Sequence, residues 1–300
     1  MTIQQIKVGS VPDIIELTPN SNEQSDSYPF ILSTNTSWGE QGSKISIEKL
    51  RQNIEPWLTA LFQSEHLNLL IGAGLSTSIQ MSATGVPPVG MGWISDLAVC
   101  QSEINEFATK AAKSAGRAQG NIEDQIRAIN ELIKGLEILT VLDSPQPENP
   151  PAPYAAYRDL KADLAAIKGE LSRCLGEFSK SVSTGEHLIK SAEKKRKEET
   201  FNYLVSFLMS FASRTATRDR LHIFTTNYDR IIEVGAELAG LRLIDRFVGS
   251  IAPVFRSSRL EVDYHYNPPG IRGEPRYLEG VARFTKLHGS LDWYENEGAI

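Results

Sequence analysis

Residues 67–78 read LNLLIGAGLSTS, and this stretch decides the fold class. The apolar run of residues 67–71 is short and stops at Gly72-Ala73-Gly74, which is typical of a buried parallel strand that turns into a helix. Gly72 permits a tight turn, and Gly74 lets the backbone approach a pyrophosphate whose charge meets the helix N-terminus. Thr77 stands where the third glycine of a G-x-G-x-x-G fingerprint would be, so an ordinary dehydrogenase is not predicted.

Two more strands are predicted, and each ends in polar residues. Residues 221–226 read LHIFTT and are followed by NYD at 227–229, while residues 282–287 read ARFTKL and are followed by HGS at 288–290. Strands separated by helices indicate a parallel α/β sheet, whose ligands bind at the carboxyl ends of the strands. If the three strands are neighbours, their polar ends converge on one cleft. Asp229 is also placed to cap a helix from residue 230, with one carboxylate oxygen to spare.

The middle of the chain lacks strand signals. Apolar stripes predict helices from residue 122, from about residue 157 and over 186–212, and SPQPENPPAP at 144–153 breaks the first from the second. Another helix is predicted from Ile47. We therefore expect an α/β fold, a Rossmann-like parallel sheet with an inserted all-helical module. The predicted parts are an N-terminal extension or arm at 1–46, the Rossmann-like domain of 47–100 and 213–300, and the helical module of 101–212.

Composition excludes several classes of protein. The chain has 300 residues and a net charge of −6, which disfavours nucleic-acid binding because a phosphate backbone needs a basic surface. The basic run at 194–197 is followed at once by two glutamates and reads as a solvated helix face. No stretch approaches the ~20 consecutive apolar residues of a membrane helix, and the N-terminus lacks the features of a secretory signal. With two distant cysteines, Cys100 and Cys174, a cytoplasmic location is expected.

Four motifs, in this order, resemble the sirtuin-like superfamily. They are the strand followed by GAGLS at 72–76, GVP at 85–87, TTNYD at 225–229 and KLHGS at 286–290. The sequences of the last two motifs are closest to those of the bacterial branch that acts in anti-phage defence. The resemblance covers residues 65–100 and 221–293, a little over a third of the chain. It implies an NAD-binding fold.

The resemblance also implies roles for individual residues. The family's catalytic asparagine falls on Asn227 and its catalytic histidine on His288. Asp229 would help to bind the nicotinamide end of NAD. The remaining expected NAD-binding residues are Gly72, Ala73, Gly74 and Ser76 around the diphosphate, with Thr226, Gly289 and Ser290.

One departure from the family bears on the reaction. Sirtuins that deacylate proteins carry a zinc ribbon of two cysteine pairs, and structural zinc needs four close ligands. Cys100 and Cys174 are too few and too far apart to build one, so no zinc or other metal is expected. Cleavage of NAD to nicotinamide and ADP-ribose is therefore a stronger expectation than peptide deacylation.

Two other functions stay open. Ser76, Asp229 and His288 occur in the order of an α/β-hydrolase triad, although Ser78 stands where a nucleophile elbow needs glycine. A regulatory or scaffold subunit that binds NAD or ADP-ribose without turnover is the second alternative.

The resemblance also bears on assembly. Only 12 residues follow His288, so we expect a longer chain, a neighbouring subunit or a partner to complete the site. A homo-oligomer is expected, with an activator such as a HerA-like ATPase or a short Argonaute.

Overall fold

A computed structural model describes residues 3–9, 13–20, 28–88, 92–142, 160–213, 219–249, 251, 253–266 and 276–294. The strands are β1 (Gln4–Ile6), β2 (Ile15–Pro19), β3 (Phe30–Leu32), β4 (Lys44–Ile45), β5 (Asn68–Ile71), β6 (Leu221–Thr225), β7 (Arg242–Ile244), β8 (Phe247–Val248), β9 (Val254–Phe255), β10 (His265–Tyr266), β11 (Arg276–Tyr277) and β12 (Val281–Lys286). The helices are α1 (Ile47–Phe62), α2 (Ala73–Thr84), α3 (Gln101–Ser114), α4 (Ile122–Leu142), α5 (Leu160–Ser191), α6 (Lys194–Ala212) and α7 (Ile231–Leu238), with a short 3₁₀ helix at Ser257–Glu261. The proline-rich break at 144–153 lies outside the described residues.

A four-stranded sheet has the order β5-β6-β12-β7. Strands β12 and β7 pair in parallel, with Val281 opposite Arg242. Strands β5 and β6 also run in parallel, because the amides of His222 and Thr226 bond to the carbonyls of Leu67 and Ile71 in the same direction along both strands. A mixed α/β fold with a parallel sheet is thus confirmed. The three strands with polar ends, β5, β6 and β12, are direct neighbours, as the convergence of their ends requires.

Helix α2 follows β5 after a single residue. Gly72 takes an extended conformation and forms the N-cap without any side-chain hydrogen bond. The helix ends at Gly85, whose φ of 75° lies in the left-handed region that favours glycine. Its amide donates to the Met81 carbonyl at 2.8 Å, which closes the last turn.

Helices α3, α4 and α5 share a hydrophobic core. The apolar stripes predict α4 and α5, whereas no helix is predicted over α3. The largest fully buried side chains of this core are Ile129 and Ile167, and Cys174 is also fully buried. The start of α4 is also as predicted, because Asn121 Oδ1 accepts a hydrogen bond from the Asp124 amide at 3.1 Å. The predicted helix over 186–212 is divided differently, since α5 continues to Ser191 and α6 begins at Lys194.

The described part of the predicted arm at 1–46 contains regular structure that the sequence did not indicate. Strands β1 to β4 form an antiparallel sheet in that order. The sheet has a core of its own, against which α1 packs through Leu50, Ile54 and Trp57. Its strands have two to five residues each, which is too short for a two-residue alternation to stand out.

The chain divides into two compact units. The first comprises Met1–Leu70, Val205–Phe224 and Ala236–Thr285, and the second comprises Ile71–Leu204, Thr225–Gly235 and Lys286–Ile300. All of the predicted site residues belong to the second unit. Among the helices within the described ranges, none combines the length and the apolar character needed to cross a membrane.

Candidate functional site

The ends of β5 and β6 are joined by a set of short hydrogen bonds. The Thr225 hydroxyl donates to the Ile71 carbonyl at 2.9 Å and accepts from the Asn227 amide at 3.0 Å. The Thr226 amide donates to the same carbonyl at 3.3 Å. Thr225 and Thr226 therefore supply hydrogen bonds to the Ile71 carbonyl, where the sheet ends. Thr225 also fixes the backbone of Asn227.

The Asn227 side chain is buried and held at both amide hydrogens. Its Nδ2 donates to the Gly72 carbonyl at 3.1 Å and to Ser76 Oγ at 2.8 Å. Within the described part of the chain no donor meets its carbonyl Oδ1. A ligand hydroxyl or a water molecule at this position would therefore donate a hydrogen bond to Oδ1.

Asp229 uses its two carboxylate oxygens for different purposes. Oδ1 accepts from the Ile231 amide at 3.1 Å and caps α7, as the sequence predicts. Oδ2 accepts from the Ser76 hydroxyl at 2.7 Å. The oxygen expected to be spare for a ligand thus holds Ser76, and Ser76 in turn holds Asn227.

The N-terminus of α2 is open beside these residues. Gly72, Ala73 and Gly74 are all exposed. A Cβ placed on Gly74 would meet no atom within 4 Å, and one on Gly72 would lie 4.0 Å from Thr226 Oγ1. The first amides of a helix lack intrahelical acceptors and carry partial positive charge, so this end suits an anion.

Lys286 ties the end of β6 to the loop after β12. Its ammonium lies 2.7 Å from each of three oxygens, the Asp229 carbonyl, Ser290 Oγ and Glu233 Oε1. The lysine side chain is 2% exposed, and Glu233 Oε2 is buried without a hydrogen-bond partner among the described residues. Burial raises the pKa of the Glu233 carboxyl, an effect that the nearby Lys286 opposes.

His288 faces a cleft of about 770 Å³ that α4 and α5 also line. Its Nδ1 is 3.7 Å from Glu123 Oε1, and its side chain is 46% exposed. The same Glu123 oxygen accepts from the Tyr228 hydroxyl at 3.0 Å, while Phe178 packs edge-on against the Tyr228 ring. Burial, together with the Glu123 carboxylate, raises the pKa of Tyr228, so the phenol stays protonated and remains a donor.

The predicted residues fall into two groups. Gly72, Ser76, Asn227 and Asp229 form one network at the start of α2, and Thr226 lies beside it. His288, Gly289 and Ser290 line the cleft with Tyr228. Within the described residues, no hydrogen bond joins Asn227 to His288. The Lys286 side chain bridges the two groups, through the Asp229 carbonyl and Ser290 Oγ.

Sequence reasoning missed Glu123, Phe178 and Lys286 as parts of this site. Lys286 carried a signal, because a lysine near the end of an apolar strand is costly to bury unless it is paired. Phe178 lies on the apolar stripe of the helix predicted from about residue 157, a pattern that indicates core packing and not a ligand site. Glu123 had no local signal, since it approaches His288 only through the packing of α4.

The arrangement does not favour a serine hydrolase. Ser76 is the fourth residue of α2, and its hydroxyl donates to Asp229 and accepts from Asn227. An activated serine must instead donate to its base, and His288 is not a partner of Ser76 within the described residues.

The chain matches no protein-family model and no curated protein at a significant level. Among the described residues, no group of three or more His, Cys, Asp or Glu side chains is arranged to hold a metal ion. The chemistry of the site therefore has to be inferred from its own geometry.

Proposed function

We propose that the chain is an NAD hydrolase, which cleaves the bond between nicotinamide and ribose and releases nicotinamide and ADP-ribose. One observation carries this assignment. The buried Asn227 amide is fixed by Gly72 and Ser76 beside an exposed helix N-terminus, and a histidine-lined cleft follows the neighbouring strand. Together with the resemblance to sirtuin-like proteins, this favours a dinucleotide over other anions.

The diphosphate of NAD would lie at the start of α2. Ala73 and Gly74 offer exposed backbone amides there, and the empty space at the Gly74 Cβ position supports a close approach of phosphate oxygens. We assign Ser76 to holding Asn227 and not to the diphosphate, because its hydroxyl is engaged on both sides. Thr226 would border the diphosphate next to Gly72.

Asn227 would orient the attacking water or a ribose hydroxyl. Since both of its amide hydrogens are bonded to Gly72 and Ser76, the carbonyl Oδ1 would accept the hydrogen bond. Asp229 would act through Ser76, which holds this amide in its orientation. Gly289 and Ser290 would shape the wall of the cleft around the ribose.

His288 would be the general base. Nicotinamide leaves a cationic ring as a neutral molecule, so no acid is needed to protonate it, in contrast to ordinary glycosidases. The C1′–N bond breaks with its electron pair moving to the nicotinamide nitrogen, and a water oxygen forms the new bond to C1′. One proton of that water passes to His288 and then to solvent. General-base assistance of this kind is worth about 10²–10⁴ in rate.

The finer fold and the biological setting are part of the same proposal. The order β5-β6-β12 with helices between them supports a Rossmann-like domain of residues 47–100 and 213–300, with the helical module of 101–212 inserted. The resemblance favours NAD depletion in anti-phage defence, in the cytoplasm. It also favours a homo-oligomer and a protein activator such as a HerA-like ATPase or a short Argonaute.

Nicotinamide release from NAD tests the assignment, measured by chromatography with the purified chain alone and with a candidate activator. Asn227→Ala and His288→Ala should each lower the rate by about 10²-fold or more. Asn202→Ala and His187→Ala, at exposed positions of α6 and α5, are the matched controls and should behave as the wild type.

Each result has a defined meaning. Wild-type turnover in a folded His288→Ala variant would remove His288 from the reaction. Calorimetric NAD binding without release under either condition would favour the regulatory, non-catalytic alternative. An absence of both binding and release would overturn the assignment to NAD.

A further inference from the structure

Glu123 makes a contact that the proposed reaction does not yet use. Its Oε1 accepts from the Tyr228 hydroxyl at 3.0 Å and lies 3.7 Å from His288 Nδ1. The glutamate comes from α4, whereas Tyr228 and His288 follow β6 and β12. Three separate elements therefore meet at one carboxylate oxygen.

The position of Glu123 is fixed by the way in which α4 begins. Asn121 and Asp124 exchange reciprocal hydrogen bonds, from the Asn121 amide to Asp124 Oδ2 at 2.9 Å and from the Asp124 amide to Asn121 Oδ1 at 3.1 Å. Arg117 adds a two-pronged bond to the Asp124 carboxylate, at 2.6 and 2.9 Å. This cap sets the orientation of the first turn, from which Glu123 projects.

Of the carboxylates that line the cleft among the described residues, Glu123 is the one that faces the His288 imidazole. Glu131, the other acid among the described lining residues, is paired with Arg127 at 3.0 Å. Lys134 also lines the cleft on α4, and Arg117 lies close enough to Glu123 to interact electrostatically. Tyr228 supplies a neutral donor, which holds the carboxylate without neutralising it.

We infer that Glu123 is a positioning residue for His288, an inference that rests on the proposed hydrolase activity. A carboxylate at Nδ1 favours the tautomer with hydrogen on Nδ1, which leaves the Nε2 lone pair free to accept a proton from water. It also stabilises the imidazolium that forms when that proton is taken. The separation of 3.7 Å is longer than a hydrogen bond, so this role requires the two atoms to come closer when NAD is bound.

A double-mutant cycle tests this in the full chain. Glu123→Ala should lower kcat by about tenfold or more, with a KM for NAD within about threefold of the wild type. Glu123→Ala added to His288→Ala should have no further effect, because Glu123 acts only through the imidazole. Glu103→Ala, which removes an exposed first-turn carboxylate from α3, is the matched control and should keep the wild-type kcat.

The histidine ¹⁵N spectrum supplies a readout that needs no turnover. The His288 signal is assigned by its loss in His288→Ala, and it should report the Nδ1–H tautomer in the wild type and a shift toward Nε2–H in Glu123→Ala. If the chain does not cleave NAD, this spectrum alone decides whether Glu123 positions the ring. An unchanged tautomer would overturn the inference, as would an equal loss of rate from Glu123→Ala with and without His288.

Discussion

Replacing Lys286 with methionine removes the cation that joins the end of β6 to the loop after β12. The ammonium has oxygens at 2.7 Å from Asp229, Ser290 and Glu233, and its side chain is 2% exposed. Methionine fills a similar volume but satisfies none of these oxygens. The Glu233 carboxylate, whose Oε2 has no hydrogen-bond partner within the described ranges, would then lose the cation that compensates its burial.

The loss of stability follows from that uncompensated charge. Removing one partner of a buried ion pair costs about 3–5 kcal/mol, and Glu233 keeps 28% of its side-chain exposure, which places the effect near the lower value. At about 2–4 °C per kcal/mol, a loss of about 3 kcal/mol lowers the melting temperature by about 6–12 °C.

The loss should depend on pH in a definite direction. Burial already raises the pKa of the Glu233 carboxyl, and removing Lys286 raises it further. A carboxyl with a raised folded-state pKa destabilises the fold only while it is ionised, so the penalty is complete above that pKa and disappears toward the unfolded value of about 4.3. The gap between Lys286→Met and wild type should be wider at about pH 8 than at about pH 5.

Thermal denaturation followed by circular dichroism measures both quantities. Adding Glu233→Gln to Lys286→Met should restore much of the stability. Lys168→Met breaks a half-exposed pair with Glu137 and should cost less than about 1 kcal/mol. An unchanged melting temperature for Lys286→Met at pH 8, or gaps of equal size at both pH values, would refute this account of the site.

Three further predictions concern other parts of the second unit. Gly289→Ala places a Cβ at a φ of 105° and should cost about 1–3 kcal/mol, measured by urea denaturation against the wild type. In the native protein a disulfide-exchange reagent should modify the exposed Cys100 promptly and the fully buried Cys174 only after unfolding; prompt reaction of both thiols would show that the helical core opens readily. Arg117 lowers the pKa of Asp124, so the stability that this carboxylate adds is present above about pH 4 and is lost as the pH falls further. Asp124→Asn should therefore lower the melting temperature near neutral pH, and a gap that persists in acid would contradict this.

The sequence predicts the parallel sheet well because each strand carries its own local signal. Strands β5, β6 and β12 each combine an apolar run with an abrupt polar end, and the structure orders them as neighbours. The cap of α7 by Asp229 follows from the same local reasoning. The N-terminal sheet could not be predicted, because its strands are short and their apolar side chains are buried in a core against which helix α1 packs.

The candidate site was predictable where it depends on strand ends, and not where it depends on packing between distant segments. The polar character of Ser76, Asn227 and Asp229 is visible in the sequence, but their hydrogen bonds to one another are not. In particular, the second oxygen of Asp229 was expected to face a ligand and instead accepts from Ser76. Glu123 approaches His288 because α4 starts at a capped turn, which no periodicity could connect to β12.

The length of α4 makes the contact between Glu123 and His288 sensitive to the tilt of this helix. The helix has 21 residues, so at 1.5 Å per residue it is a rod of roughly 30 Å with Glu123 near one end. A tilt of about 10° about the opposite end would displace Glu123 by about 5 Å. That displacement exceeds the 3.7 Å that separates its carboxylate from His288. The contact between Glu123 and His288 therefore depends on the tilt of α4, and a rotation of about 10° is enough to break it.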